Sequence, residues 1–214
     1  MGGFVNYVVV IEHLEPEISP WLILEYRHVS LIHGKNHTWF TNVPRRYHKL
    51  LGIYGSVFED SVIALILKGI VDPAYTIILD PSAPRKLNYS DLVTSKYIVI
   101  GGILGDHPPR GRTRIYITSR VPNTIRAFNI GEGQYSIDGA AYYLKYLLNH
   151  KSDKDFKYVD GVKIKTDYGY VYLPYRYPVV NGKPLIADGL EYYLKYRKLR
   201  EDIWEEILRA SQIS

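Results

Sequence analysis

The chain has 214 residues, 46% hydrophobic and 23% charged, with a formal net charge of +5. This composition belongs to a globular protein with a substantial core and excludes a disordered chain. The absence of cysteine excludes disulfides, thiolate metal sites and thiol catalysis together.

No apolar run reaches membrane-spanning length, and the N-terminus lacks the pattern of a secretory leader. A cytoplasmic location and no membrane partner are therefore expected. Basic residues cluster at 45–49, 110–114 and 195–200. Such clusters either face nucleic acid or the ribosome, or are ordinary solvated surface.

Residues 7–11 (YVVVI) form a β-branched run that predicts the first strand. Glu12 and Glu15 follow at its C-terminal end, the side where open α/β sheets bind ligands. Ser19 and Pro20 supply an N-cap and a first helical residue, and the helix runs through Leu22, Tyr26, Val29 and Ile32 to Gly34. Residues 39–43 read as a second strand. Ser56 and Glu59 have capping-box spacing, which predicts a helix ending at Gly69. Residues 75–79 (YTIIL) form a third strand closed by Asp80 and Pro81, and a short helical piece follows near 90–93.

Residues 97–100 are apolar enough for the centre of a parallel sheet. They run into Gly101, Gly102 and Gly105, then Asp106, His107, two prolines, Arg110 and Arg112. Glycines at a strand end let a ligand approach the backbone. No Walker or dinucleotide motif is present, and Pro108-Pro109 blocks the helix that a phosphate would need. A cofactor held by backbone groups of a glycine loop fits better.

Residues 115–118 read as another short strand. Beyond Gly131 and Gly133, the stripe Ile137, Ala140, Ala141, Leu144 and Leu148 predicts a helix. Residues 158–173 read as a β-hairpin with turn signals at Asp160-Gly161 and 167–169, and Asn181-Gly182 marks a further tight turn. A final helix is predicted over 190–210. The alternation predicts an α/β fold with a parallel sheet covered by helices on both faces. Residues 1–150 form its core, and 151–214 pack on it as a hairpin excursion and last helix within a single domain. His33 and His37 do not suggest a metal site, because Gly34 interrupts the helix that would align them.

As a set, IEHLEPEISPWLILEY, GGILGDHPPRGRT, NIGEGQYSIDGAAYYL and LPYRYP resemble the SPOUT methyltransferases. They are most similar to an archaeal and eukaryotic subgroup. That subgroup includes an arginine methyltransferase acting on a small-subunit ribosomal protein and predicted RNA methyltransferases. The resemblance implies a trefoil knot on the C-terminal side of the sheet. It also implies S-adenosylmethionine bound between two loops, with Gly102, Ile103, Leu104 and Gly105 on one side. Ile130, Gly131, Tyr135, Ser136 and Asp138 would line the other. Homodimers are common in this superfamily.

A sulfonium methyl donor is already activated, so the protein must align donor and acceptor, exclude water and help remove a proton. A guanidinium acceptor calls for carboxylates, which makes Asp106, Glu12 and Glu15 candidates. His107 adjoins Asp106 as a proton partner. Arg112 would hold a phosphate of an RNA acceptor or pair with Asp106. Each also has an ordinary reading: a turn former for Asp106, an exposed strand-end charge or a capping partner for Glu12, and a hydrogen-bonded loop residue for His107. Pro174 to Pro178 either covers the acceptor or packs as an extended edge. The expected function is methylation, dependent on S-adenosylmethionine, of a ribosomal-protein arginine or an RNA base. The alternative is a non-catalytic RNA- or ribosome-binding protein that keeps the fold.

Overall fold

The computed structural model describes residues 6–105 and 110–212. Runs rich in β-branched and aromatic residues form β1 (Val8–His13), β2 (Thr38–Thr41), β3 (Ser56–Val57), β4 (Thr76–Leu79), β5 (Tyr97–Gly102) and β6 (Arg126–Phe128). They assemble in the order β3-β2-β1-β5-β4-β6, with every neighbouring pair parallel. Residues 97–100 thus lie in the middle, as their apolar run predicts. All six residues of β1 are buried, the mark of a strand covered on both faces.

The covering helices are α1 (Pro20–His33), α2 (His48–Leu51), α3 (Val62–Leu67), α4 (Tyr89–Val93), α5 (Arg112–Tyr116), α6 (Ile137–His150), α7 (Leu190–Tyr196) and α8 (Glu201–Gln212). Side chains alternate across a strand. Val9, Ile11, Ile98 and Ile100 therefore join Tyr26 and Val29 of α1 and Ala141 and Leu144 of α6. Val8, Val10 and Val99 face the other way, onto Val62, Leu65 and Ile66 of α3 and onto Ile117. Among the described residues, no helix is long and apolar enough to cross a membrane.

The cap at α1 is as predicted: Ser19 Oγ accepts from the Leu22 N–H, and Gly34 ends the helix at φ 93°. Four expectations are corrected. Ser56 does not open a helix, because residues 56–57 pair with β2; the cap is Ser61, which accepts from the Ala64 N–H. Residues 112–116 are helical where a strand was expected at 115–118, after a left-handed turn at Gly111. The last helix is two, α7 and α8, because Arg197 turns left-handed at φ 58°. Asp160-Gly161 is a bulge within a strand rather than a turn.

That strand, β7 (Tyr158–Thr166), pairs antiparallel with β8 (Gly169–Val180), and β8 pairs with β9 (Lys183–Pro184). Ile164, Leu173, Tyr175 and Tyr177 of this small sheet belong to the same buried cluster as α1 and α6. Leu190, Leu194, Ile203 and Ile207 of α7 and α8 join it too. Gly189 permits the contact, since a Cβ there would lie 2.5 Å from Ile203 Cδ1.

Leu173 is fully buried at the seam between the two segments. Leu173→Ala is expected to cost about 2–5 kcal/mol. Urea denaturation followed by circular dichroism should show one transition, shifted to lower denaturant. A second transition, separating 151–214 from the rest, would contradict the shared core.

Candidate active site

Because the sheet is parallel, the loops after β4, β5 and β6 emerge on one side. There they enclose a crevice of about 350 Å³, within the size range of small-molecule sites. Leu79 to Ser82 form one wall, Ile100, Gly101, Ile103 and Gly105 another, and Phe128, Ile130, Gly131 and Gly133 to Ile137 a third. Gly131 and Gly133 have φ of 103° and 85°, which a side chain would strain.

The loops are tied together by residues far away in sequence. Gly105 abuts Gln134 so closely that a Cβ would fall 1.4 Å from Gln134 Nε2. Tyr175 of β8 donates its hydroxyl to Gly105 O at 2.7 Å, and the Arg176 backbone N–H donates to Gln134 O at 2.7 Å. The Arg176 guanidinium adds a hydrogen bond to Glu132 O. The LPYRYP segment is therefore a strap across both glycine loops. A second tie uses Glu15, whose Oε1 accepts from the Leu104 N–H at 3.0 Å and from Arg112 Nη1 at 3.1 Å. Arg112 also donates to Leu104 O.

Of the residues singled out from sequence, Ile103, Gly105, Ile130, Gly131, Tyr135, Ser136 and Arg112 line the crevice. Asp106 and His107 lie outside the described residues. The other four are not among the residues that line the crevice. Gly102 is a close-approach residue, where a Cβ would stand 2.4 Å from the Tyr26 hydroxyl. Leu104 packs against the core beside the Glu15 tie. Glu12 shares the sheet face of Val8 and Val10, opposite α6. Its Oε2 accepts from Thr41 Oγ1 at 2.6 Å and from the Val62 N–H at 2.8 Å. It is the capping partner of α3, the ordinary reading of that carboxylate. Burial pushes it up to about 7, and the two hydrogen bonds pull the other way.

Asp138 is held inside the first turn of α6. Its Oδ1 accepts from the Gly139 N–H at 2.9 Å, and its Oδ2 lies 2.7 Å from His28 Nδ1. Glu25 joins it, accepting from Trp21 Nε1 at 2.7 Å and the Ile137 N–H at 3.0 Å. Burial, and then the charge of Asp138, hold the Glu25 carboxyl well above the usual range. With Ser136 Oγ on the Gly139 N–H, the positive end of α6 is satisfied from within the protein.

Sequence reasoning read Asp80 only as the end of a strand. It is buried and lines the crevice. Its Oδ1 accepts from the Ser82 N–H at 2.8 Å, while Oδ2 has no hydrogen-bond partner among the described residues. Leaving a buried acceptor unpaired costs about 1–3 kcal/mol, so a donor arriving from a ligand would be favoured there. The one signal in the sequence is an aspartate at a strand's C-terminal end. Among the described residues, no cluster of three or more His, Asp or Glu side chains is arranged to hold a metal. His33 and His37 instead bond to Tyr7 and to the Ala141 carbonyl.

The profile of the family described as Protein arginine N-methyltransferase SFM1-like matches residues 8–200. The chain belongs to the SFM1-like family. Protein arginine N-methyltransferase SFM1 of Saccharomyces cerevisiae is 29% identical over 195 residues, spanning 85% of this chain and 91% of the yeast protein. The crystal structure of yeast SFM1 complexed with SAM has a TM-score of 0.80 at 25% identity, covering 92% of this chain and 93% of that one. A Trm10 structure from Thermococcus kodakaraensis, at 10% identity, has a TM-score of 0.51 over 68% of this chain and 94% of its own, and shares the fold alone. The SPOUT-like resemblance of the sequence is thus narrowed to the SFM1-like arginine methyltransferases, and the crevice of this SFM1-like chain is its candidate active site.

Glu12 predicts a pH dependence of stability. Its carboxyl holds a proton up to about pH 7 when folded, against an ordinary 4.5. Between those values the folded state binds more protons, so stability falls as pH rises. The contribution is complete below the lower value and lost through the upper one. Glu12→Gln removes the ionisation, so its urea midpoint should decline less than that of the wild type from about pH 5 to about pH 7.5. Equal declines would clear Glu12 as the source.

Proposed function

We propose that this chain transfers a methyl group from S-adenosylmethionine to an arginine of a protein of the translation machinery. The crevice where the three strand-end loops meet would be the cofactor site. The observation that carries the cofactor reading is the buried Asp80 carboxylate, half-paired among the described residues, in a crevice of mixed polar and apolar lining between two glycine loops. The donors of that cofactor fit it. Its ribose hydroxyls or ammonium group would satisfy Oδ2, and Leu79, Ile100, Phe128 and Ile137 suit a purine. Gly131 has open space where a Cβ would stand. When bound, the cofactor supplies a methyl group already activated on a sulfonium.

The protein's own work is to hold and exclude. Ile103, Gly105, Ile130, Gly131, Tyr135 and Ser136 form the walls, and the Glu15–Arg112 tie fixes Leu104 at the rim. Arg112 is a positioning residue in this reading. Asp106 is proposed to orient the guanidinium and accept its proton, with His107 beside it. Carboxylate–guanidinium pairing is the chemistry that selects this acceptor. Glu12 has no part, being committed to α3. The reading includes the trefoil knot, supported by the meeting of three loops in one crevice and by the SPOUT-like neighbours. The ribosomal-protein acceptor and a cytoplasmic setting rest on the sequence motifs.

Two measurements test this. Calorimetry with S-adenosylmethionine should show binding that Asp80→Ala weakens about tenfold or more in the folded protein. Wild-type affinity in the variant would remove Asp80 from the site. Methyl-labelled cofactor incubated with ribosomal subunits should put label into protein, recovered as methylarginine, and Asp106→Ala should bind cofactor but lose transfer. Label in RNA alone would end the arginine reading.

A further inference from the structure

One surface takes no part in methyl transfer as described. The hairpin of β7 and β8 buries Ile164, Leu173, Tyr175 and Tyr177, so the residues between them form an outward face. There Lys163 stands opposite Tyr172, and Lys165 opposite Tyr170. Tyr170 is 70% exposed and Tyr172 56%. Tyr172 lies against the bulge, where a Cβ on Gly161 would come within 2.2 Å of its hydroxyl. The ring is therefore positioned while most of the residue stays in water. At the other end of the face, the Arg176 guanidinium lies 3.8 Å from the centroid of exposed Tyr158.

The charges are as telling as the rings. Asp160 is paired with Arg176 at 2.7 Å and Asp167 with Lys195 at 3.3 Å. Lys163 and Lys165 are exposed and make no ion pair among the described residues. Exposed rings interleaved with unpaired cations are what an unpaired nucleic-acid strand requires. Bases stack on aromatic side chains in any sequence, and ammonium groups replace the counterions of the phosphates. An acidic peptide would use the lysines but has no planar groups for the tyrosines. The face is also continuous with the crevice, because Arg176 reaches Glu132 O and lies 5.9 Å from the Tyr135 ring.

We infer that the outward face of this hairpin binds single-stranded RNA, stacking bases on Tyr158, Tyr170 and Tyr172 and holding phosphates on Lys163 and Lys165. This site is distinct from the methyl-transfer crevice and does not depend on it. RNA bound here would lie beside the crevice mouth, a docking site rather than an acceptor.

Fluorescence anisotropy of the full chain with a labelled oligouridine tests the inference. Saturable binding is expected, weakened about tenfold or more in the Tyr170→Ala/Tyr172→Ala double variant. Lys163→Gln/Lys165→Gln should lower the slope of log K against log salt by about 1.4, two phosphate contacts' worth. Both variants should keep the wild-type urea midpoint and cofactor affinity, since these side chains are exposed and outside the crevice. Absence of saturable binding would overturn the inference. So would binding that neither variant alters, which would move the RNA to another basic cluster. Equal, tyrosine-dependent affinity for an oligoglutamate would make the face a peptide site and overturn it too.

Discussion

The site depends on one strand that belongs to neither of its loops. Tyr175 and Arg176 of β8 hydrogen-bond to the backbone of Gly105 and Gln134, joining the loop after β5 to the loop before α6. Loops without such ties would pay the full ordering entropy each time a ligand arrived. Here the cost is met in folding, because β8 is itself anchored by Leu173 and Tyr177 in the core. The small antiparallel sheet is in this sense part of the site: burial on its inner face sets the geometry of the crevice.

A second constraint is electrostatic. Glu12, Glu25 and Asp138 are all buried, and each is held by N–H or hydroxyl donors. Two helix N-termini are thereby capped by carboxyl oxygens from elsewhere in the fold, which accept from N–H groups of the first turn. Asp80 departs from that pattern: one oxygen accepts from the Ser82 N–H, and the other has no hydrogen-bond partner among the described residues. A half-paired buried carboxylate is where a donor from a ligand would be favoured. The outer face of the hairpin follows the same logic at the surface, where acids are paired and two lysines are not.

Much of the fold was legible in the sequence. The β-branched runs at 7–11, 75–79 and 97–100, the Ser19 cap and the apolar stripe of α6 are local signals, read from residues a few positions apart. The motif set also pointed to the right class of enzyme, and seven of its residues line the crevice. Two of the errors came where tertiary pairing outweighed a local signal. Ser56 has capping-box spacing, yet β2 offered residues 56–57 a ladder. Asp160-Gly161 looks like a turn, yet the bulge lets the strand continue past it.

The sequence by itself determined most of the elements, the Ser19 cap and the chemical class, because those rest on bonds and packing between near neighbours. Only the tertiary structure decided which carboxylates are held by donors within the fold and which is left half-paired. Glu12 finds its donor 50 residues away and Glu25 finds one 112 residues away. Asp80 is distinguished by an oxygen that has no partner among the described residues. A carboxylate's role follows from the donors folded around it, and those donors come from parts of the chain that no local pattern connects.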